Sequence, residues 1–164
     1  MSATIRQSHA NNDLPLWLSA SALPPAPTGG FQNVFNIADY SPPLTIAEAG
    51  VGWTTLVAQS ITPNVNGVVT VLASARVLTG GTNATPQMSL AVSFNVNGSL
   101  ITEPVPNVIT STNGGDSLVI TSQWQFPSSG GTTNVVEFVG TSQYIAPGQP
   151  GFLCESARIT LLTN

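Results

Sequence analysis

Lysine is absent from this sequence, and charged side chains of either sign are scarce. The 164 residues include three Arg and seven acidic residues, whereas an average chain of this length, with about 25% charged residues, carries roughly 40. The surface must therefore consist mainly of Ser, Thr, Asn, Gln and Gly, which are polar but repel one another weakly. Such a surface suits a protein that packs against copies of itself or against a partner. An ordinary low-charge secreted β domain is the alternative.

The three basic residues, Arg6, Arg76 and Arg158, are far apart in the sequence, and the net charge is −4. Phosphate backbones are bound by clustered Lys and Arg. The composition therefore argues against a nucleic acid partner. The sequence also contains no run of 18 apolar residues and no apolar segment near Met1, so we expect neither a membrane span nor a signal peptide.

The side chains that catalysis and metal binding require are also few. The sequence contains one histidine, His9, and one cysteine, Cys154. A catalytic triad would have to use His9, and a zinc site needs three or four ligands within reach. Cys154 is interpreted as a buried small thiol. Glu137 and Glu155 would form a carboxylate pair only if their strands pair, so we predict no enzyme, no cofactor and no metal site.

Residues 1–48 differ in composition from the rest of the chain, because they contain six of the 13 prolines. Proline fixes φ and removes a hydrogen-bond donor, so this segment is predicted to be an extended arm without a long helix or a central strand. A short helical turn is possible over Leu44 to Ala49. Large apolar side chains in the arm favour burial against the domain, a neighbouring copy or another protein. The residues predicted to bind a partner are Leu14, Leu16, Trp17, Leu18, Phe31 and Phe35.

Residues 49–164 alternate between apolar and polar side chains, which is typical of β-strands. The clearest strand runs from Met88 to Val96 and ends at Asn97-Gly98, a strong hairpin signal. Further strands are predicted over 53–61, 68–78, 118–126, 135–139 and 157–162, with Gly-rich turns between them. The predicted fold is all-β: a single antiparallel β-sandwich, similar to a jelly roll, preceded by the arm.

The aromatic residues of the domain allow two interpretations. Trp124 shares an apolar face with Leu118 and Ile120, so it is predicted to belong to the core. Trp53 and Tyr144 are candidate glycan contacts, because exposed rings on a sandwich stack on sugars. A carbohydrate-binding or adhesive module is therefore the alternative function.

From Trp53 onward the chain resembles the trimeric jelly-roll heads of the TNF and C1q type and related modules of phage capsids and tail fibres. The resemblance rests on Ile61-Thr-Pro-Asn-Val-Asn-Gly-Val-Val-Thr-Val, on the segment from Phe94 to Ile101, and on the closing strand Ala157-Arg-Ile-Thr-Leu-Leu. It implies a homotrimer with display or capsid-cementing duties. The hypothesis from the sequence is a virion structural protein, a decoration, cement or head-fibre subunit, which contacts other capsid or fibre proteins.

Overall fold

The computed structural model describes residues 31–48, 51–80, 88–101, 107–111, 115–143 and 151–163. In these ranges the chain forms β-strands and turns and no helix. The strands are β1 (Gln32–Thr45), β2 (Thr54–Ile61), β3 (Gly67–Thr79), β4 (Met88–Val96), β5 (Ser99–Leu100), β6 (Asn107–Ser111), β7 (Ser117–Ser128), β8 (Asn134–Gln143) and β9 (Phe152–Thr163).

The strands form two antiparallel sheets. Sheet A has the order β1-β9-β3-β7, and sheet B has the order β2-β8-β4, with β5 and β6 both paired to β4. The first strand thus pairs with the last, β2 pairs with β8, and β3 pairs with β7. When β5 and β6 are counted as one interrupted strand, this nested pairing is that of an eight-stranded jelly roll. The predicted all-β sandwich is confirmed.

The core lies between the two sheets, and sheet A contributes alternate residues of its strands to it. On β3 the buried apolar side chains are Val69, Val71, Ala73, Ala75 and Val77. Strand β7 directs Ile120 into the core, and Leu118, Trp124 and Phe126 pack against it. The predicted core position of Trp124 is therefore correct. The period-two pattern succeeds here because each strand of sheet A keeps one face toward the core and one face outward.

The hairpin between β4 and β5 has the geometry that its sequence predicts. Asn97 and Gly98 have φ values of 52° and 83°, which are those of a type I′ turn. The Asn97 side chain also accepts a hydrogen bond from the Val135 N–H (2.8 Å) and donates one to Asn134 Oδ1 (3.1 Å). The turn is thereby tied to the start of β8.

Strand β1 lies within the segment that the sequence assigns to the arm. Gln32 pairs with Thr163, and the register continues through Asp39 and Ser156. The compact unit that the structure describes begins at Phe31, not at residue 49. Leu44 and Thr45 are extended and belong to β1, and residues 46–48 are not helical, so the described part of Leu44 to Ala49 does not form the helical turn considered there. The prolines are compatible with β1 because it is an edge strand, where a missing N–H is tolerated.

The two edge strands β1 and β2 are joined by side chains of β1. The Tyr40 hydroxyl donates a hydrogen bond to the Leu56 carbonyl, and Asn36 Nδ2 donates one to the Ala58 carbonyl at 2.8 Å. These bonds satisfy carbonyl groups of β2, an edge strand that pairs with β8 on its other side. Side chains of sheet A thus close this side of the sandwich.

Candidate functional site

Among the described residues, the outer face of sheet A carries exposed apolar, polar and charged side chains side by side. The antiparallel register places Phe35 beside Thr160, Thr160 beside Leu72, and Leu72 beside Gln123. These four residues form one row across all four strands. The next row runs from Ile37 through Arg158 and Ser74 to Thr121.

A third row on this face contains both signs of charge. Asp39 pairs with Ser156, Ser156 with Arg76, and Arg76 with Val119. Arg76 Nε lies 2.8 Å from Glu155 Oε2 and donates its hydrogen to Ser117 Oγ at 3.0 Å. The charge of Arg76 is therefore compensated within the chain.

Apolar side chains stand in solvent along β1. Phe31, Phe35 and Ile37 are 69%, 67% and 58% exposed. We call these three residues the β1 strip. At the opposite edge of sheet A, Val119 of β7 is also exposed. The β1 strip is unusual because three large apolar side chains are exposed within seven residues at the start of one edge strand.

A groove of about 590 Å³ crosses the same face beside the β1 strip, over β9, β3 and β7. We call it the Arg158 groove. It is lined by Leu72, Ala73, Ser74, Thr121, Ser122, Gln123, Arg158 and Thr160. A second depression of about 250 Å³ lies beside it, over Ile37, Asp39 and Arg76. The volume of the Arg158 groove falls within the roughly 300–1,000 Å³ typical of small-molecule sites.

Arg158 is the cation of this groove. Its Nε donates a hydrogen bond to Ser74 Oγ at 2.9 Å, which restrains the guanidinium group. Within the described residues, neither of its Nη groups has a hydrogen-bond partner, and no carboxylate forms an ion pair with it. The exposed guanidinium therefore offers its Nη donors to a ligand in the groove.

The candidate carboxylate pair does not form. Glu137 lies on β8 in sheet B and accepts a hydrogen bond from Thr55 Oγ1 at 3.2 Å, while Glu155 lies on β9 in sheet A. In the part of the chain that the structure describes, no group of three His, Cys, Asp or Glu side chains is placed to hold a metal ion. The same part contains no helix of a length and hydropathy that would cross a membrane.

Cys154 is fully buried between the sheets, as the sequence predicts. Burial raises the pKa of its thiol to about 11, against a weaker opposing effect of the hydrogen bond to the Ser156 carbonyl (3.4 Å). The thiol is protonated at neutral pH and makes no contact with solvent. It is a packing residue.

The residues predicted to contact partners have different positions. Phe31 and Phe35 are exposed in the β1 strip. Leu14, Leu16, Trp17 and Leu18 lie outside the described residues, as does the candidate glycan contact Tyr144. Trp53 is half-buried just before β2.

Sequence reasoning missed the Arg158 groove and Ile37. Residues 72, 123, 158 and 160 belong to three strands, and only the pairing register places them side by side. Ile37 was obscured because its strand was interpreted as an arm. Its alternation with Val34, Ala38 and Tyr40, which pack on the core, was the available signal.

No protein-family model matches the chain, and no curated protein matches it. Solved structures that it resembles include the dimeric latent PorU of Porphyromonas gingivalis, with 11% identity, a TM-score of 0.45 and coverage of 83% of this chain and 14% of that one. A chain of the IBDV viral particle gives 13% identity, a TM-score of 0.48 and coverage of 85% and 35%. The globular domain of zebrafish complement 1qA protein gives 15%, 0.36, and 82% and 96%. The present chain thus spans a small part of the first two proteins.

Proposed function

We propose that this chain is a structural subunit of a virus particle, a decoration, cement or head-fibre protein, that forms a homotrimer through its β domain. It binds neighbouring subunits through the β1 strip and the sequence that precedes it. The proposal assigns the chain no catalytic role and no cofactor. The observation that carries it is the row of exposed apolar side chains along β1.

The β1 strip supports assembly because leaving it in water is costly. Full burial of a side chain such as Phe35 or Ile37 contributes about 1.5–3 kcal/mol relative to exposure. Nothing in the packing of the sandwich requires these two residues to be apolar, since Val34 and Ala38 already supply the inner face of β1. A partner that covers the strip accounts for their presence.

The scarcity of charge supports the same proposal. The chain carries ten charged residues and no lysine, so two copies that approach each other meet little repulsion and little desolvation cost from ions. Leu14, Leu16, Trp17 and Leu18 extend the apolar sequence upstream of Phe31. In the proposal they contact a neighbouring capsid or fibre protein.

The mass of the full-length chain in solution tests oligomerisation. We expect multi-angle light scattering to give about three times the chain mass of 16.9 kDa. The double variant Phe35→Ser with Ile37→Thr is expected to shift the mass toward that of one chain, because it removes the apolar strip. Val119→Thr is the matched control, since it removes an equally exposed apolar group from the opposite edge of the same sheet.

Two results would overturn this proposal. A single-chain mass for the unmodified protein at all concentrations would remove self-assembly. An unchanged oligomer in the double variant would remove the β1 strip from the interface. The virion assignment is tested separately by immunogold labelling of particles from the source, where unlabelled particles would reject it.

A further inference from the structure

The lining of the Arg158 groove differs from the rest of the chain in its charge. The protein has seven acidic residues and three Arg, yet none of the described residues that line the groove is acidic and one is Arg. The remaining polar groups include the hydroxyl of Thr160 and the amide of Gln123 on either side of Leu72. The groove therefore presents one positive charge beside neutral donors and acceptors.

Arg158 is arranged to receive a carboxylate. Its Nε donates a hydrogen bond to Ser74 Oγ at 2.9 Å, and within the described residues the two Nη groups have no hydrogen-bond partner. An arginine held in this way can donate two parallel hydrogen bonds to one carboxylate. Arg76 on the same face is different, because Glu155 already lies 2.8 Å from it.

The floor of the groove favours side-chain recognition over the addition of a peptide strand. Strand β3 is paired on both edges, with β9 and β7, and β9 is paired with β1 and β3. Their backbone N–H and C=O groups are thus engaged within the sheet, whereas peptides that add to sheets use a free edge. Hydroxyl and amide side chains beside an apolar Leu72 match instead the hydroxyl groups and C–H face of a sugar ring.

From this arrangement we propose that the Arg158 groove binds a carboxylate-bearing saccharide, of the uronic acid or sialic acid type. Arg158 binds the carboxylate, Gln123 and Thr160 bind ring hydroxyls, and Leu72 contacts the apolar face of the ring. A polyanion such as nucleic acid is disfavoured, since it requires several phosphate contacts and the groove supplies one cation. The groove adjoins the β1 strip, because Arg158 pairs with Ile37 and Thr160 pairs with Phe35. Trp53 is not among the residues that line it.

Titration calorimetry on the full-length protein tests this proposal with two matched pairs of probes. Trigalacturonic acid is compared with its fully methyl-esterified form, and sialyllactose with lactose. At least one of the acidic sugars is expected to bind, and its uncharged counterpart is expected to bind about tenfold more weakly, because the charge-assisted bonds to Arg158 are lost.

Variants identify the groove as the site. Arg158→Gln is expected to weaken binding of the acidic sugar about tenfold, while Arg76→Gln, an exposed Arg of the same sheet face, changes it by less than about twofold. Gln123→Ala is expected to weaken the acidic and neutral sugars alike. Unfolding midpoints and light-scattering masses of the same samples serve as controls for the fold and the assembly of each variant.

Several outcomes would overturn the inference. These are the absence of binding by both acidic sugars, equal binding of the methyl ester and the free acid, equal losses in Arg158→Gln and Arg76→Gln, and tighter binding of hexa-aspartate than of either sugar. Because the mass measurement is independent of these titrations, a failed saccharide test with an intact oligomer leaves the proposed assembly function standing. A single-chain mass with intact sugar binding would reject the proposed assembly and leave the saccharide site standing.

Discussion

Asn97 is the residue whose identity the structure constrains most clearly. It has a positive φ of 52°, and its side chain bonds to both Val135 and Asn134. Asn97→Ala loses both bonds and places a Cβ-bearing residue without a local hydrogen bond in the left-handed region. We expect the free energy of unfolding, measured by urea titration, to fall by about 2 kcal/mol.

Asn97→Gly separates the two causes. Glycine adopts the positive φ without strain, so this variant loses only the side-chain bonds and is expected to cost about 1 kcal/mol. Equal losses in the two variants would show that backbone conformation contributes nothing. No loss in either would show that the contacts to β8 are not stabilising.

Cys154 makes stability depend on pH at the alkaline end. Burial raises the pKa of its thiol to about 11, whereas an unfolded thiol titrates near about 8.5. The folded state therefore holds the proton more tightly, so stability is full below the unfolded pKa and declines as pH rises toward the folded value. Burial also raises the pKa of Tyr40, and a thiolate at Cys154 raises it further, which adds a decline of the same sign.

We expect the urea midpoint of the unmodified protein to be constant from about pH 7 to about pH 8.5 and then to fall. In Cys154→Ala the fall is expected to begin at higher pH, because only the tyrosine contribution remains. The slopes are compared, not the absolute midpoints, since the variant also loses packing volume. Identical slopes would contradict the buried-thiol explanation.

At the scale of the elements, β1 decides where the chain can be cut. It pairs with β9 from Gln32 to Asp39 and again at Leu44 and Thr45, and Val34, Ala38, Tyr40 and Leu44 pack against the core. Deletion of residues 1–30 is expected to preserve a cooperative thermal transition in circular dichroism. Deletion of residues 1–48 removes β1 and exposes β9, so we expect loss of that transition and binding of the dye ANS.

The two deletions control each other, because both remove the predicted partner residues Leu14 to Leu18. Cooperative unfolding of the 1–48 deletion at an unchanged midpoint would show that β1 is dispensable. It would also restore residue 49 as the start of the domain.

A strand is predictable from the sequence when its apolar and polar residues alternate regularly. Met88–Val96 was predicted with the bounds that the structure gives, because large apolar residues stand at every second position and Asn97-Gly98 ends the strand. Strand β1 was not predicted. Phe35 and Ile37 point outward while Val34 and Ala38 point inward, so both faces are apolar and the period is hidden. Pro42 and Pro43 then favoured an arm over an edge strand.

At the scale of the molecule, the sandwich was predictable and the candidate groove was not. A sandwich needs only several alternating strands with turns between them, and the sequence states both. The groove needs the register, because Arg158 meets Ser74 only through the pairing of β9 with β3. Residues 84 positions apart in sequence are brought together by the sheet, and no local pattern contains that information.

At the scale of the assembly, we expect the oligomeric state to be independent of salt concentration. The proposed contact through Phe35 and Ile37 is apolar. The chain has only ten charged residues, so long-range electrostatic interactions contribute little to it. Raising sodium chloride from about 0.05 M to about 0.5 M shortens the screening length to a few ångströms, which weakens contacts between exposed charges and leaves apolar burial intact. We therefore expect sedimentation velocity to give the same oligomer across this range, and sodium sulfate to stabilise it. Dissociation with rising chloride would instead indicate an interface held by charges, with Arg76 and Arg158 of sheet A as its first candidates.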